Sequence, residues 1–144
     1  QNLQDHKTAL KYYERACKNN YQLACTNLAN MYQSGLGVDR DKNKALEIFN
    51  ASCTNGGAIS CYYLGDFYRS GDEGKEPDYV AAMSAYERGC KLGDIPSCTN
   101  TGVLYENGLG VAQDESKARN IYRSACFSGD SSACDNLKRM GRKR

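Results

Sequence analysis

Apolar and polar residues alternate along this chain with the spacing of short helices. In segment 5–18 the apolar or small positions lie three or four residues apart or side by side, at Ala9, Tyr12, Tyr13, Ala16 and Cys17. This spacing places them on one face of a helix. A polar break at 19–20 precedes a second apolar pattern over 22–34, and Gly35 and Gly37 then end it, as glycines do after a last helical turn. The pattern predicts two antiparallel helices joined by a tight turn.

The same helix pair is encoded four times, because equivalent positions recur after 36, 37 and again 36 residues. The recurring positions are an aspartate, an alanine and an aromatic residue of each first helix, and a tyrosine of three second helices: Asp5, Asp41, Asp78 and Asp114; Ala9, Ala45, Ala82 and Ala118; Tyr13, Phe49, Tyr86 and Tyr122; and Tyr32, Tyr68 and Tyr105. A fixed period of this length is typical of a stacked repeat array. We therefore predict an all-α fold, an α/α solenoid in which four helical hairpins of about 36 residues form a right-handed superhelix.

The repeats predict one domain, since each hairpin buries its apolar face only against its neighbours. We expect a single repeat domain over 1–144, with repeats at about 5–40, 41–77, 78–113 and 114–144, the last with a basic C-terminal tail. Each aspartate should accept hydrogen bonds from the first turn of the helix that follows it. Gln1 and Asn2 align with the end of an inter-repeat loop, which predicts a processed chain or a piece of a longer array.

Small residues recur where helices must approach each other, at Ala29, Gly65 and Gly102 of the second helices. Their small size allows the helices to pack near the short end of the usual interaxial range. Tyr12 and Tyr62 are expected to be core residues rather than ligand platforms.

All eight cysteines fall into four identical units with seven residues between the two cysteines. One cysteine lies in the last turn of each first helix and the other at the start of the second, so a tight turn brings them within bridging distance. Local disulfides are favoured over free core thiols and over zinc, which prefers closer cysteine pairs supplemented by histidine. The only histidine is His6. The favoured pairs are Cys17 with Cys25, Cys53 with Cys61, Cys90 with Cys98, and Cys126 with Cys134.

Disulfides on this scale predict an oxidising compartment, so we expect a secreted or periplasmic protein. No metal ion or other cofactor is expected. No run of about 18 apolar residues occurs, so no membrane span is predicted.

The net charge of +2 divides unevenly along the chain. Five basic residues occupy the last seven positions: Lys138, Arg139, Arg142, Lys143 and Arg144. Removing these five from the 19 basic residues leaves 14 against 17 acidic residues, a body of net charge −3. Nucleic-acid binding is not expected, because the basic residues cluster in a tail rather than along one face.

Two loops carry a family resemblance, since the residues GLGV are followed by Asp and then by Lys-Ala in segments 35–45 and 108–118. This motif resembles the SEL-type repeat, a relative of the tetratricopeptide repeat that is built of paired helices. The added cysteine pair in every unit is similar to the Helicobacter cysteine-rich proteins, secreted bacterial repeat proteins with one disulfide per hairpin. The loop GDEGKEP at 71–77 departs from the pattern. The resemblance implies a penicillin-binding or weak β-lactamase activity as one function.

The sequence contains no recognisable catalytic motif for that activity. Serine β-lactamases place a lysine three residues after the nucleophilic serine, and no serine of this chain has a lysine at that distance. A zinc-protease motif with two histidines is excluded by the single histidine. We therefore assign no catalytic residue and do not expect an enzyme; if one exists, the resemblance implies a β-lactamase-like hydrolase.

The leading interpretation is a repeat scaffold that binds a protein or peptide through a concave face lined mainly by first helices. Its candidate residues vary between repeats while the scaffold positions recur: Lys11, Glu14, Arg15, Glu47, Asn50, Ser84, Glu87, Arg88, Asn120 and Arg123. The amides of Asn50 and Asn120 could bond an extended peptide backbone. Plain solvated helix surface is the alternative interpretation of these residues. The alternative functions are recognition of a β-lactam or peptidoglycan-related ligand and a structural spacer in a longer array.

Overall fold

A computed structural model describes residues 3–71 and 74–142, and within them it contains eight α-helices. The helices are α1 (Leu3–Lys18), α2 (Gln22–Ser34), α3 (Lys42–Thr54), α4 (Ala58–Ser70), α5 (Tyr79–Lys91), α6 (Ile95–Asn107), α7 (Glu115–Phe127) and α8 (Ser131–Gly141). They form four hairpins, each stacked on the next, so the predicted all-α solenoid is confirmed. The predictions that involve Gln1, Asn2, Lys143, Arg144 and positions 72–73 of the GDEGKEP loop lie outside the described residues.

Aspartates begin three of the four first helices, as the sequence predicted. The carboxylates of Asp41, Asp78 and Asp114 each accept a hydrogen bond of 3.0 Å from the backbone N–H three residues later. Asp5 does not begin α1 as predicted, because α1 starts at Leu3 and Asp5 lies inside its first turn. Leucine and glutamine are good helix formers, so the helix extends before the aspartate here.

Each hairpin is closed by one disulfide, as predicted. The bonds join Cys17 to Cys25, Cys53 to Cys61, Cys90 to Cys98 and Cys126 to Cys134, each across a Cα–Cα distance of 4.6 Å. No cysteine is left free. The helix turn therefore brings the paired cysteines together in every unit.

The loop between hairpins three and four needs a glycine at position 110. Gly110 has φ of +71°, and a Cβ there would lie 2.5 Å from the carbonyl carbon of Tyr79 at the start of α5. The left-handed backbone conformation and the close approach both exclude a side chain. The GLGV motif thus allows the outgoing loop to pass directly over the beginning of its own hairpin.

Neighbouring hairpins pack closely because an aromatic ring of one hairpin lies against a glycine of the preceding hairpin. Tyr86 and Tyr122 of the first helices are fully buried. An added Cβ at Gly65 would lie 2.4 Å from Tyr86 Cε1, and one at Gly102 would lie 2.7 Å from Tyr122 Cε1. Each ring therefore occupies the space that a side chain on the preceding second helix would need.

We expect the substitution Gly102→Leu to destabilise the fold by about 1–3 kcal/mol, because the new side chain would overlap the Tyr122 ring. Urea unfolding monitored by circular dichroism measures this loss. Gly141→Leu is a suitable control, since a Cβ at Gly141 meets no atom within 4 Å. An unchanged urea midpoint for Gly102→Leu would show that the interface can expand freely.

One aromatic residue departs from its predicted place. Tyr12 was expected in the core, but 68% of its surface is exposed. The equivalent residues of later hairpins, such as Ile48, lie beside the first helix of the preceding hairpin. No preceding hairpin exists in the part of the chain that the structure describes, so Tyr12 remains uncovered. Tyr62 is half-buried and packs against Tyr86.

Two buried tyrosine hydroxyls bind carboxylates between the layers. The Tyr86 hydroxyl donates to Asp66, whose carboxylate also accepts from Arg69 at 3.4 Å. The Tyr122 hydroxyl donates to Glu106 Oε1 at 2.8 Å. Burial, together with these hydrogen bonds to carboxylates, raises the pKa of both tyrosines well above the usual value of 10.0.

These raised pKa values predict a loss of stability in alkali. Above about pH 10 the unfolded chain releases the two phenolic protons while the folded chain keeps them, so rising pH favours unfolding. Each tyrosine should lower the free energy of unfolding by up to about 1.4 kcal/mol per pH unit. Urea unfolding at pH 9, 10 and 11 measures the slope. Tyr122→Phe should reduce this slope, and a slope equal to that of the unmodified protein would contradict this account.

Candidate binding clefts between first helices

The first helices of neighbouring hairpins do not pack uniformly against one another. Second helices contact each other in succession, α2 with α4 and α4 with α6, but among the described first helices only α3 and α5 make a substantial contact. The first helices approach each other less closely at the other two junctions, between α1 and α3 and between α5 and α7. A cleft opens at each of these junctions, with the intervening second helix as its floor.

The C-terminal cleft lies between α5 and α7 above α6, and its volume is about 270 Å³. Its defining residues are Glu87, Lys91, Ile95, Tyr105, Lys117 and Ile121. The lower part is apolar, since it is formed by the two isoleucines, Ala125 and the Cys90–Cys98 disulfide. Charged side chains line its edges. The cleft thus combines an apolar interior with a polar rim, the usual arrangement of a ligand site.

Two lysines of the C-terminal cleft carry charge without a close ion pair, and Glu87 and Asp114 act on Lys117 only electrostatically. Neither Lys91 nor Lys117 forms an ion pair within 4.0 Å in the described chain. The Lys117 Nζ lies 4.6 Å from the centroid of the Tyr105 ring, a cation–π contact. The interaction with the Tyr105 side chain raises the pKa of Lys117. Lys117 therefore places its positive charge beside Tyr105 at the cleft.

The N-terminal cleft lies between α1 and α3 above α2. It consists of two cavities of about 290 and 350 Å³ that share Cys17, Lys44 and Ile48. Its defining residues are Glu14, Lys18, Gln22, Tyr32, Lys44 and Ile48. The cleft is thus lined by one disulfide, an isoleucine, a tyrosine and charged residues.

The ten predicted partner-binding residues are divided among several environments. Glu14 and Glu47 line the N-terminal cleft, and Glu87 lines the C-terminal cleft. The Asn120 Oδ1 accepts a hydrogen bond of 3.0 Å from Arg123. The other members, apart from Arg88, are exposed on first helices outside both clefts: Lys11, Arg15, Asn50 and Ser84.

Arg88 binds the scaffold itself, although its side chain remains exposed. Its Nε donates to the Cys53 carbonyl at 3.0 Å and its Nη2 to the Thr54 carbonyl at 2.8 Å. These carbonyls belong to the last turn of α3, where helical carbonyls lack intrahelical partners and a cation is favourable. Arg88 thus connects α5 to α3 across the middle junction.

Sequence reasoning missed most of the cleft residues. The candidates did not include the apolar residues Ile95 and Ile121. They also did not include Lys117, which belongs to the repeated Lys-Ala motif. Candidates were selected for variation between adjacent repeats. The recurrence of Lys44 and Ile48 as Lys117 and Ile121 in alternate repeats is the sequence signal for these two residues, whereas Ile95 replaces Gln22 and carries no such signal.

Buried serine hydroxyls form hydrogen bonds that connect the helices. The Ser60 hydroxyl donates to Ser52 Oγ at 2.7 Å, and Ser52 donates to Gln22 Oε1 at 2.7 Å. Thr26 completes the chain through a 2.6 Å hydrogen bond with Ser60. This network joins α2, α3 and α4. No cluster of three or more potential metal ligands occurs among residues 3–71 and 74–142.

A solenoid of paired helices with clefts between its units defines a helical-repeat scaffold. The chain belongs to the Sel1 repeat family, whose model matches residues 3–21, 22–57, 58–94 and 95–130. The three full-length matches begin at a second helix, so each pairs that helix with the first helix of the next hairpin. The predicted resemblance to the SEL-type repeat is therefore confirmed.

Solved structures show the same fold. A Sel1 repeat protein from Oxalobacter formigenes is 30% identical with a TM-score of 0.84 over 94% of this chain. Helicobacter pylori cysteine rich protein B is 29% identical with a TM-score of 0.75, and the match covers 95% of this chain and 98% of that protein. A protective antigen of uropathogenic Escherichia coli with an SLR fold is 24% identical with a TM-score of 0.82 over 94% of this chain, and supports the fold alone.

The chain spans only part of two of these structures, 56% of the Oxalobacter protein and 29% of the Escherichia coli antigen. The comparison with curated proteins gave no significant match. None of the helices described here is long and apolar enough to cross a membrane.

Proposed function

We propose that this chain is an interaction scaffold that binds an extended segment of a partner protein in its C-terminal cleft. The observation that carries the proposal is the combination of an apolar cleft floor, at Ile95 and Ile121, with two lysines that form no ion pair within 4.0 Å in the described chain. The proposed site is thus one cleft between α5 and α7, rather than the whole surface formed by the first helices. Of the residues predicted from sequence, Glu87 belongs to this site.

The dimensions of the cleft favour a peptide side chain over a large small-molecule ligand. Its volume of about 270 Å³ lies below the range of about 300–1,000 Å³ that is typical of drug-sized ligands. One aliphatic side chain fits an interior of isoleucine and disulfide. Lys91 and Lys117 favour an acidic group beside that side chain, because both are exposed at the rim, neither forms an ion pair within 4.0 Å, and together they outnumber Glu87 there.

The disulfides support a proposal about location. Four disulfides indicate an oxidising environment outside the cytoplasm. We propose that the protein is secreted or periplasmic and meets its partner there.

A peptide library displayed on phage and selected against the oxidised protein tests the binding proposal. We expect enrichment of peptides in which an aliphatic residue neighbours Asp or Glu. The substitutions Ile121→Arg and Lys117→Glu should each weaken binding of these peptides by about tenfold or more, because they fill the apolar floor or reverse the rim charge. Lys11→Glu is the matched control, since it makes the same charge reversal at an exposed position outside both clefts.

The proposal fails if the selected peptides bind Ile121→Arg and Lys117→Glu as tightly as the unmodified protein. It also fails if the selection yields no peptide that the unmodified protein enriches. Equal weakening by Lys11→Glu would show that net charge, rather than the cleft, determines binding.

Recognition of a β-lactam, which the family resemblance implies, stays a prediction. Intact mass measured after incubation with benzylpenicillin tests for a stable covalent adduct on a serine.

A further inference from the structure

The two clefts have matching residues at the same positions of alternate repeats. Every defining side chain of the N-terminal cleft except Gln22 recurs exactly 73 residues later in the C-terminal cleft: Glu14 as Glu87, Lys18 as Lys91, Tyr32 as Tyr105, Lys44 as Lys117 and Ile48 as Ile121. Each cleft is also lined by one disulfide, Cys17–Cys25 in the N-terminal cleft and Cys90–Cys98 in the C-terminal cleft. The two sites therefore share these five side chains and a disulfide, but the N-terminal cleft has Gln22 where the C-terminal cleft has Ile95.

The middle junction, between α3 and α5, has lost these groups. The positions of the glutamate, the first lysine, the second lysine and the isoleucine are occupied by Asn50, Thr54, Ala81 and Ala85. The tyrosine alone remains, as Tyr68. A repeat that needed these residues for folding would keep them at all three junctions. Their restriction to the two junctions that form clefts associates them with the clefts rather than with the scaffold.

Arg88 bridges the middle junction, where no cleft of this composition is formed. Its guanidinium extends across to the last turn of α3 and binds the carbonyls of Cys53 and Thr54. The equivalent residues of the two clefts are Ala51 and Ser124, which are too short to cross. The position of Arg88 therefore distinguishes the bridged middle junction from the two junctions that form clefts.

We propose that the chain is bivalent: the N-terminal and C-terminal clefts are two equivalent sites, two repeats apart, for segments that carry an aliphatic side chain beside an acidic group. This inference rests on the proposed function for the chemistry of the ligand. Beyond the proposed function, it assigns a second binding site and places the two sites two repeats apart. A partner with two such segments would gain affinity from the second contact through its raised effective concentration.

Residue-resolved NMR of the oxidised protein, titrated with the peptide acetyl-Ala-Leu-Glu-Ala-amide, tests this proposal. We expect amide shifts at both clefts, with dissociation constants that agree within about threefold. Lys44→Glu should weaken binding at the N-terminal cleft by about tenfold while the C-terminal cleft is unchanged within about twofold. Lys117→Glu should have the reverse effect, and Lys11→Glu should affect neither cleft.

The middle junction supplies an internal control. Arg88→Ala removes the bridge but leaves the junction without lysine, glutamate or isoleucine, so the peptide should still produce no shift at Ala81 or Ala85. A new site there would show that any junction without the bridge binds the peptide, and would overturn the role assigned to the matching residues.

The failures of the two proposals are distinguishable. Shifts at the C-terminal cleft alone would overturn bivalency and leave the proposed function intact. Shifts at neither cleft would overturn both. Shifts at both clefts that Lys44→Glu and Lys117→Glu leave unchanged would likewise overturn both, since the lysines would then play no part in recognition.

Discussion

Reduction of all four disulfides should unfold this protein at 25 °C. Each bond closes a short loop between cysteines that are eight positions apart. The chain-entropy relation assigns a loop of this size about 2.6 kcal/mol, so four bonds together contribute about 10 kcal/mol. A domain of this kind has a total stability of about 5–15 kcal/mol. The expected result is loss of the cooperative thermal transition when the protein is measured in excess tris(2-carboxyethyl)phosphine.

A graded series tests whether the bonds act independently. Replacing one cysteine pair at a time with alanine should lower the free energy of unfolding by about 2–3 kcal/mol. The pair Cys126 and Cys134 is the better choice, because both residues are only half-buried. The pair Cys53 and Cys61 is buried, so its removal adds a cavity cost. A reduced protein with an unchanged thermal midpoint would show that packing alone holds the hairpins.

The second large effect is expected at Arg139, which neutralises a buried carboxylate. Its Nη1 donates to Glu106 Oε2 at 2.6 Å and its Nη2 to Glu106 Oε1 at 2.7 Å. Only 3% of the Glu106 side chain is exposed. Arg139→Ala should cost about 3 kcal/mol, the low end for breaking a buried ion pair, because 47% of the arginine side chain is already exposed.

Urea unfolding of Arg139→Ala measures this loss, and two variants control for other causes. Lys138→Ala removes a neighbouring exposed charge and should change stability by less than about 0.5 kcal/mol. Arg139→Lys keeps the charge but loses the two-pronged geometry, so its effect should be intermediate. If Arg139→Ala and Lys138→Ala have equal stability, the ion pair contributes nothing measurable.

Arg139 also changes the interpretation of the basic tail. The sequence predicted a cluster of five basic residues at the end of the chain, separate from an acidic body. The structure places Arg139 inside α8 and bonds it to Glu106 of α6, so part of this cluster joins the last hairpin to the one before it. Lys143 and Arg144 lie outside the described residues.

The sequence by itself determined the architecture. Its period of about 36 residues indicates that the same local contacts form in every hairpin. Helical spacing predicted the hairpins, and the aspartates before α3, α5 and α7 predicted their starts. The regular cysteine spacing favoured one disulfide per hairpin, because the two cysteines flank a single tight turn. Such features depend on residues close together along the chain.

Only the tertiary structure decided where the chain leaves space between hairpins. The clefts depend on contacts between residues more than 30 positions apart, such as Arg88 with Cys53 and Thr54. In sequence Arg88 and Glu87 are adjacent polar residues and were grouped together, but one bridges a junction and the other lines a cleft. A residue's role here depends on whether its side chain can reach the neighbouring first helix, and that distance is set by the stacking of whole hairpins.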